Sequence, residues 1–340
     1  MRIALASAAF LLAAIAPAAL AEPLGHYGAD AGAVTVSGIS SGGFMAGQLQ
    51  VAYSASIKGA GIVAAGPWWC AGGQGVPPAS PLGLKAMMDR CMSASPRAAD
   101  AGTLASVARA VAGTRSIDPV TNLEKARIFV FSGAKDAVVK PAAVAPTSDF
   151  FRALGVPDAN LKVVTDVPAG HAMVTMDQGG ACDVGKPPFI ADCDYDLAGE
   201  MLSHLYGGTL AKPQGPARGT VVAFDQAEFG KGASLADTGY AYVPESCWAE
   251  GGCRVHVALH GCLQSAEDVK GAFYEQAGYN AWADANRIIV LYPQVGKGNA
   301  LNPYQCWDWW GYTGPYFARK GAPQPAAIKA MVDRVTAARG

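Results

Sequence analysis

The chain has 340 residues, of which 51% are hydrophobic and 16% charged, and its 26 basic residues nearly balance its 27 acidic ones. Intrinsic disorder is excluded, because disordered chains combine low hydrophobicity with high net charge. A nucleic-acid-binding protein held by a basic face is disfavoured too, since a net charge of -1 leaves no excess of cations to neutralise phosphates. The length suits one large domain or two small ones.

The N-terminus has the pattern of a secretory signal peptide. Arg2 provides a positive start, residues 3–15 are apolar, and Ala19-Leu20-Ala21 forms a small-x-small cleavage site. We therefore expect a leader over 1–21 and a mature chain over 22–340, with a retained membrane anchor as the alternative. No later stretch is apolar for long enough to span a bilayer. The mature protein is expected to be soluble and secreted, extracellular or periplasmic, without stable membrane association.

Short apolar runs alternate with helix-like segments along the rest of the chain. Helical periodicity follows the first of these runs and is clear again over 196–205 and 326–335. Strands rich in Val and Ile and separated by helices predict an α/β fold with a mostly parallel, doubly wound sheet covered on both faces. The runs predicted as strands are 33–36, 61–65, 127–131, 162–164, 220–224, 240–243, 255–259 and 288–291.

The first strand runs into Gly38-Ile39-Ser40-Ser41-Gly42, which fits G-x-S-x-G and is followed by a helical pattern. This is the context of the nucleophile elbow of an α/β-hydrolase, in which the serine lies on a tight, strained turn. Glycines two residues before and after it let neighbouring backbone pass without a clash of Cβ atoms. The pattern predicts Ser40 as the nucleophile, and Ser41 is a poorer candidate because Ile39 stands two residues before it.

A serine nucleophile needs a base, and the chain has five histidines. His171 lies in a glycine-containing loop just past the strand 162–164, where loops of parallel sheets carry functional groups. We predict His171 as the general base. His256 stands between valines inside a strand and is interpreted as structural, His204 lies in a helix, and His26 precedes the serine strand.

The acid is expected between serine and histidine in the chain, the order that this fold uses. Asp136 follows the strand 127–131 and is predicted to orient the base. Asp149, in a helix-like stretch, and Asp166, close in sequence to His171, are the alternatives.

Acyl transfer also needs two backbone N–H groups for the oxyanion. One is predicted to be that of Ser41, the residue after the nucleophile. The strand 255–259 is followed by His260-Gly261-Cys262, which resembles the His-Gly loop that supplies the second donor in esterases, and we predict the N–H of Cys262 for this role. His260 is expected to be structural.

In an ordinary α/β-hydrolase this His-Gly loop precedes the serine, whereas here it follows by about 220 residues. A circular permutation resolves the conflict, because termini that lie close together tolerate such a rearrangement. The Pro- and Gly-rich segment 210–219 would then be the splice that joins the original C-terminal helix, 196–205, to the original first strand at 220. We therefore expect one circularly permuted domain over 22–340.

Eight cysteines in an exported chain favour disulfides. A zinc site would need closely spaced pairs such as C-x-x-C with histidine nearby, and the sequence has neither. Eight cysteines allow 105 connectivities, so the pairing stays open at this point. The short separations suggest local loops closed by Cys182–Cys193 and Cys247–Cys253, and Cys70–Cys91 with Cys262–Cys306 would complete the set.

The segments VSGISSGGFMAGQ, SGAKDAVV, PAGHAM, LHGCLQS and CWDWW resemble those of single-domain, secreted poly(3-hydroxybutyrate) depolymerases with a permuted α/β-hydrolase fold. In unpermuted order they resemble feruloyl and acetylxylan esterases. The resemblance covers nearly all of the mature chain. It implies a Ser40, Asp136 and His171 triad, oxyanion donors at Ser41 and Cys262, no metal or organic cofactor, and attack on esters of short 3-hydroxyacyl units.

Compared with the commoner secreted depolymerases, this chain is expected to lack the linker and the separate substrate-binding domain. Crystalline polymer, amorphous polymer and soluble oligomers are therefore all open as substrates. A feruloyl or acetylxylan esterase is the alternative enzyme, and a non-catalytic polymer-binding protein is the alternative of another class.

The tryptophans have two interpretations. Trp68 and Trp69 follow a predicted strand, and Trp307, Trp309 and Trp310 cluster near Cys306. Core packing and cover for a disulfide is the first interpretation. The second is an apolar crevice for an uncharged polyester, with Trp68, Trp307 and Trp310 as the candidate substrate-binding residues.

Overall fold

The strand that leads into Ser40 lies in the middle of a nine-stranded sheet. The computed structural model describes residues 21–72, 81–208 and 210–339. Its strands are β1 Glu22–Pro23, β2 Val34–Ile39, β3 Ile57–Val63, β4 Arg127–Phe131, β5 Leu161–Val164, β6 Met173–Thr175, β7 Gly180–Ala181, β8 Ile190–Asp192, β9 Thr220–Asp225, β10 Thr238–Val243, β11 Arg254–Leu259 and β12 Ile288–Tyr292.

The large sheet has the order β1-β9-β10-β12-β11-β2-β3-β4-β5. β10 pairs antiparallel with both of its neighbours, and the remaining pairs of this sheet are parallel. The strands β6, β8 and β7 form a separate three-stranded sheet. The mostly parallel sheet that the sequence predicts is confirmed.

Helices cover both faces of the large sheet. They are α1 Ser41–Ala52, α2 Pro81–Cys91, α3 Ala101–Gly113, α4 Pro141–Val144, α5 Pro146–Ala153, α6 Leu197–Leu205, α7 Glu245–Ala249, α8 Ala266–Val269, α9 Ala272–Gln276, α10 Tyr279–Asn286 and α11 Pro323–Thr336. Buried side chains of α1, α3, α5 and α11 fill the core on one face, and those of α6, α9 and α10 fill the core on the other. This two-sided cover is the doubly wound arrangement of the α/β-hydrolase fold.

The two halves of the chain meet at the serine strand. β2 pairs with β3 of the N-terminal half on one side and with β11 of the C-terminal half on the other. Val335, near the end of α11, accepts hydrogen bonds from the N–H groups of Tyr27 and Ala29, shortly before β2 begins. A helix that ends beside the segment leading into the serine strand is the arrangement expected of a circular permutation.

The sequence-based elements differ from the structure mainly at their ends. The strand 127–131 is confirmed without change, whereas the second predicted strand, 61–65, runs as Ile57–Val63. The sequence interpretation missed α3, although Asp100 caps it by accepting from the Thr103 N–H at 2.7 Å and its buried residues recur at helical spacing.

Two further expectations concern the leader and the splice. Residues 1–20 of the predicted leader are outside them, and the predicted splice 210–219 runs without helix or strand between α6 and β9. Among the helices described, none is both long and apolar enough to cross a bilayer.

Candidate active site

Ser40 lies on a strained turn between β2 and α1. Its φ of 56° and ψ of -121° are unusual for a residue with a side chain. A Cβ on Gly42 would lie 2.3 Å from the carbonyl oxygen of Leu259, and one on Gly38 would lie 2.4 Å from that of Gly42. Both positions therefore require glycine, which is the physical basis of the G-x-S-x-G spacing.

Asp136 and His171 are joined in the loops that follow β4 and β5. The Nδ1 atom of His171 lies 2.7 Å from Oδ2 of Asp136, whose carboxylate is fully buried. Its other oxygen, Oδ1, accepts the N–H groups of Val138 at 2.8 Å and Val139 at 2.9 Å. These bonds fix the carboxylate, so the ring that it holds has a defined orientation.

The alternative acids lie elsewhere. Asp149 is exposed on α5 and pairs with Arg152 at 2.7 Å. Asp166 is exposed in the loop before His171. Of the three candidates, the structure brings Asp136 to the histidine.

The loop that carries His171 rests against a small disulfide-closed loop. The N–H of Gly170 donates to the carbonyl of Cys182 at 2.9 Å, and a Cβ on Gly170 would lie 2.7 Å from the carbonyl oxygen of Asp183. Cys182 is bonded to Cys193. The disulfide-closed loop therefore packs against the backbone that carries His171.

The His-Gly turn lies directly beside Ser40. The parallel register of β11 and β2 pairs Leu259 with Gly38, so that the residues after β11 lie next to the residues after β2. A Cβ on Gly261 would lie 3.4 Å from that of Ser40. Segments about 220 positions apart in the chain therefore meet at one end of the sheet.

Two backbone N–H groups at this end are placed to bind an anion. Ser41 is the first residue of α1, where helical N–H groups have no partner within the helix. In the turn, the N–H of Leu263 donates to the carbonyl of Tyr304 at 2.8 Å, whereas the N–H of Cys262 has no acceptor within the described part of the chain. Both sequence-predicted donors therefore lie at the end of the sheet that carries Ser40.

Ser40 and His171 face a common pocket of about 510 Å³, a size that suits a small ligand. Its described lining includes no Asp, Glu, Lys or Arg. The lining residues are Ile39, Ser40, Phe44, Leu84, Met87, Met88, Met92, Val138, Val139, His171, Phe189, Gly261, Cys262, Leu263, Gln264, Leu301, Asn302, Pro303, Tyr304, Cys306, Trp309 and Trp310.

The tryptophans divide between the pocket and the core. Trp310, one of the three predicted substrate-binding residues, lines the pocket together with Trp309, which was not among the three. Trp68 and Trp307 do not line it: both are buried in the core, and the indole N–H of Trp68 donates to the carbonyl of Ala318. Adjacent tryptophans in a short loop point in different directions, which residue type alone does not reveal.

A buried carboxylate that the sequence interpretation missed shapes the tryptophan loop. The oxygens of Asp308 accept backbone N–H groups from Trp310, Gly311, Tyr312 and Thr313, and the Thr313 hydroxyl as well. Burial raises the pKa of Asp308, and these donors act in the opposite direction. An Asp inside the aromatic run CWDWW was the available signal, since a carboxylate among tryptophans needs several donors.

Two further histidines are fully buried: His256 in β11 and His260 directly after that strand. His256 binds the hydroxyl of Thr35 through Nδ1 at 2.8 Å and that of Ser37 through Nε2 at 2.7 Å. Burial lowers the pKa of His256 to about 3 and that of His260 to about 4, so both rings are neutral at neutral pH. His204 lies on α6, as expected.

All four suggested disulfides are present: Cys70–Cys91, Cys182–Cys193, Cys247–Cys253 and Cys262–Cys306. The last of these joins the turn beside Ser40 to the tryptophan loop, and both of its cysteines line the pocket.

Two curated relatives and two solved structures that resemble this chain are polyhydroxybutyrate depolymerases. No model of a known protein family matches the chain. A poly(3-hydroxybutyrate) depolymerase of Delftia acidovorans is 44% identical over 344 residues, covering 100% of this chain and 67% of the relative. A polyhydroxybutyrate depolymerase of Talaromyces funiculosus is 35% identical over 345 residues, covering 96% of each protein.

Solved structures agree with these relatives. A PHB depolymerase complexed with an R3HB trimer superposes with a TM-score of 0.81 at 33% identity, over 92% of this chain and 98% of the other. The PHB depolymerase from Penicillium funiculosum gives a TM-score of 0.79 at 34% identity over the same shares. Given this similarity over nearly the whole length of both chains, the protein belongs to the poly(3-hydroxybutyrate) depolymerase family.

Proposed function

We propose that this protein is a serine esterase that hydrolyses the ester bonds of poly(3-hydroxybutyrate) or of its oligomers. The observation that carries the proposal is the serine on a strained elbow at a pocket that it shares with His171, whose other ring nitrogen is held by buried Asp136. Family membership, and the R3HB trimer complexed with a relative, support the substrate class.

In the proposed mechanism, His171 takes the proton of the Ser40 hydroxyl as the oxygen attacks the ester carbonyl. Asp136 keeps the ring in the tautomer that leaves Nε2 free to accept this proton. The N–H groups of Ser41 and Cys262 bind the oxyanion of the tetrahedral intermediate. His171 returns the proton to the leaving alcohol, and an acyl-enzyme remains that water, activated by the same ring, hydrolyses.

The chemistry of the pocket favours a polyester over a sugar ester. Most of its wall is formed by apolar and aromatic side chains, beside the amides of Gln264 and Asn302, and the described lining has no carboxylate, ammonium or guanidinium group. An aliphatic polyester chain gains free energy by burial of its methyl and methylene groups. A feruloylated or acetylated sugar presents hydroxyl groups, each of which loses hydrogen bonds with water in such a pocket.

The test is hydrolysis of a 3-hydroxybutyrate trimer by the purified protein, with Ser40→Ala as the comparison. We expect the wild type to release monomer and dimer, and Ser40→Ala to lose at least about 10⁴-fold in kcat with an unchanged unfolding midpoint. Turnover by the variant at the wild-type rate would refute the role of Ser40.

Two further assays separate the alternatives. A feruloylated or acetylated sugar hydrolysed faster than the trimer would assign the protein to the carbohydrate esterases. A wild type that binds polymer but neither turns it over nor reacts at Ser40 with a fluorophosphonate would identify a polymer-binding protein.

We also propose that the protein is exported after removal of residues 1–21, and that 22–340 form one permuted domain with its splice at 210–219. The four disulfides support an oxidising compartment. Mass spectrometry of the protein recovered from culture medium and periplasm is expected to find Glu22 at the N-terminus. Recovery only from membranes, with Met1 in place, would indicate a retained anchor.

A further inference from the structure

Two buried side chains, those of His260 and Gln264, form hydrogen bonds with the backbone of Gly261 in the turn beside Ser40. The ring of His260 is fully buried, with Nδ1 2.7 Å from the carbonyl oxygen of Gly261, and its Nε2 accepts the backbone N–H of Val295 at 3.2 Å. An N–H group can only donate, so Nε2 carries the lone pair and Nδ1 carries the hydrogen. His260 is therefore a neutral donor to the Gly261 carbonyl.

That carbonyl belongs to the same peptide unit as the N–H of Cys262. The unit is planar and trans, so its C=O and N–H point in opposite directions. A bond that holds the Gly261 carbonyl against His260 therefore directs the Cys262 N–H away from the ring. This is the N–H for which the described residues offer no acceptor, on a residue that lines the pocket.

Gln264 binds the N–H of Gly261, the residue before Cys262. Its Oε1 accepts the N–H of Gly261 at 2.8 Å, and its Nε2 donates to the carbonyls of Pro188 and Phe189, both at 3.1 Å. The side chain is 1% exposed. Gly261 therefore has neither its N–H nor its C=O free, so within this peptide the N–H of Cys262 is the group left to bind an anion.

The same glutamine connects the two sides of the site. The carbonyl of Phe189 also accepts the N–H of Met173 at 2.8 Å, two residues after His171. Through Gln264, the turn beside Ser40 is tied to the backbone that follows the base. A shift of one side relative to the other would break at least one of these bonds, which is costly because Gln264 is buried away from water.

We infer that His260 and Gln264 are positioning residues that orient the Gly261–Cys262 peptide, so that the Cys262 N–H serves as the second oxyanion donor. The inference rests on the proposed esterase function and deepens it. It assigns to the chain two residues that act on the transition state through the orientation of this peptide.

Two substitutions of His260 separate this role from a packing role. The amide nitrogen of Asn occupies roughly the position of Nδ1, whereas the amide of Gln reaches the position of Nε2. His260→Asn therefore retains a donor for the Gly261 carbonyl and loses the contact with Val295. His260→Gln retains the contact with Val295 and loses the donor.

We expect His260→Gln to lower kcat for the 3-hydroxybutyrate trimer about 100-fold with little change in KM, and His260→Asn to stay within a few-fold of the wild type. A purely structural histidine would give equal kcat losses in the two variants, or losses that follow their unfolding midpoints, and either result would overturn the inference.

Gln264→Met gives an independent test should either His260 variant not fold. The thioether fills similar volume without the hydrogen bonds. We expect its affinity for a trifluoromethyl ketone, which forms an oxyanion on Ser40, to fall by the same factor as kcat/KM, with an unchanged affinity for an unreactive ketone-free analogue. Equal losses for both compounds would contradict the inference. An inactive wild type refutes the proposed function itself, whereas an active wild type with fully active variants refutes only the positioning roles.

Discussion

The two sides of Ser40 are built from different chemical groups. On the side formed by the loops after β4 and β5, the groups are side chains: the Asp136 carboxylate and the His171 ring, joined at 2.7 Å. On the side formed by the turn after β11, the proposed group is a backbone N–H, and the side chains of His260 and Gln264 bind the C=O and the N–H of Gly261.

This difference decides how each side responds to mutation. A side-chain group is lost when its residue is replaced, so the first side is sensitive to residue type. A backbone N–H survives every substitution except proline, so Cys262 itself is replaceable as a donor, whereas a residue that orients its peptide can be replaced only by one that keeps the orienting hydrogen bond. The following predictions test this asymmetry, beginning with the largest effect.

Asp136→Asn is expected to lower kcat about 10⁴-fold. The amide cannot hold the imidazole in the tautomer that leaves Nε2 as an acceptor, although its shape is almost unchanged. The measurement is kcat for trimer hydrolysis, with Asp149→Asn as the matched control on an exposed carboxylate of α5. An unchanged rate for Asp136→Asn, or an equal loss in the control, would show that the acid was misassigned.

Cys262→Pro in a Cys306→Ala background is expected to lower kcat by a further 10²- to 10³-fold, approximately, relative to Cys262→Ala in the same background. Both double variants lack the disulfide, and only the proline variant lacks the N–H. Loss of the disulfide, whose cysteines are 44 residues apart, costs about 4 kcal/mol of unfolding free energy in each. Equal kcat values in the folded double variants would exclude this N–H as a donor.

Trp310→Phe is expected to have the smallest effect, a several-fold rise in KM with unchanged kcat. The indole supplies apolar surface to substrate and transition state alike, so its reduction weakens both equally. Trp307→Phe is the control: this side chain is fully buried outside the pocket, so the unfolding free energy should fall by about 1–3 kcal/mol without a change in KM. A rise in KM for Trp307→Phe and none for Trp310→Phe would reverse the structural assignment.

The contrast also explains which parts of the site were predictable. The elbow around Ser40 was predictable because only glycine tolerates the close backbone contacts at Gly38 and Gly42. The positions of Asp136 and His171 were predictable because each residue follows a strand that residue composition identifies. Trp309 and Asp308 were missed, because whether a side chain in an irregular loop faces a pocket or the core depends on neighbours distant in the sequence.

The amino-acid sequence by itself indicated the alternation of strands and helices, the presence of disulfides, and the candidates for nucleophile, acid and base. These properties depend on residue type and local spacing. Only the tertiary structure decided which tryptophans reach the pocket and which N–H groups of the turn after β11 are already bound to an acceptor. Every residue except proline carries the same N–H, so its availability depends on which distant groups, such as the carbonyl of Tyr304 or the amide of Gln264, pack against the turn.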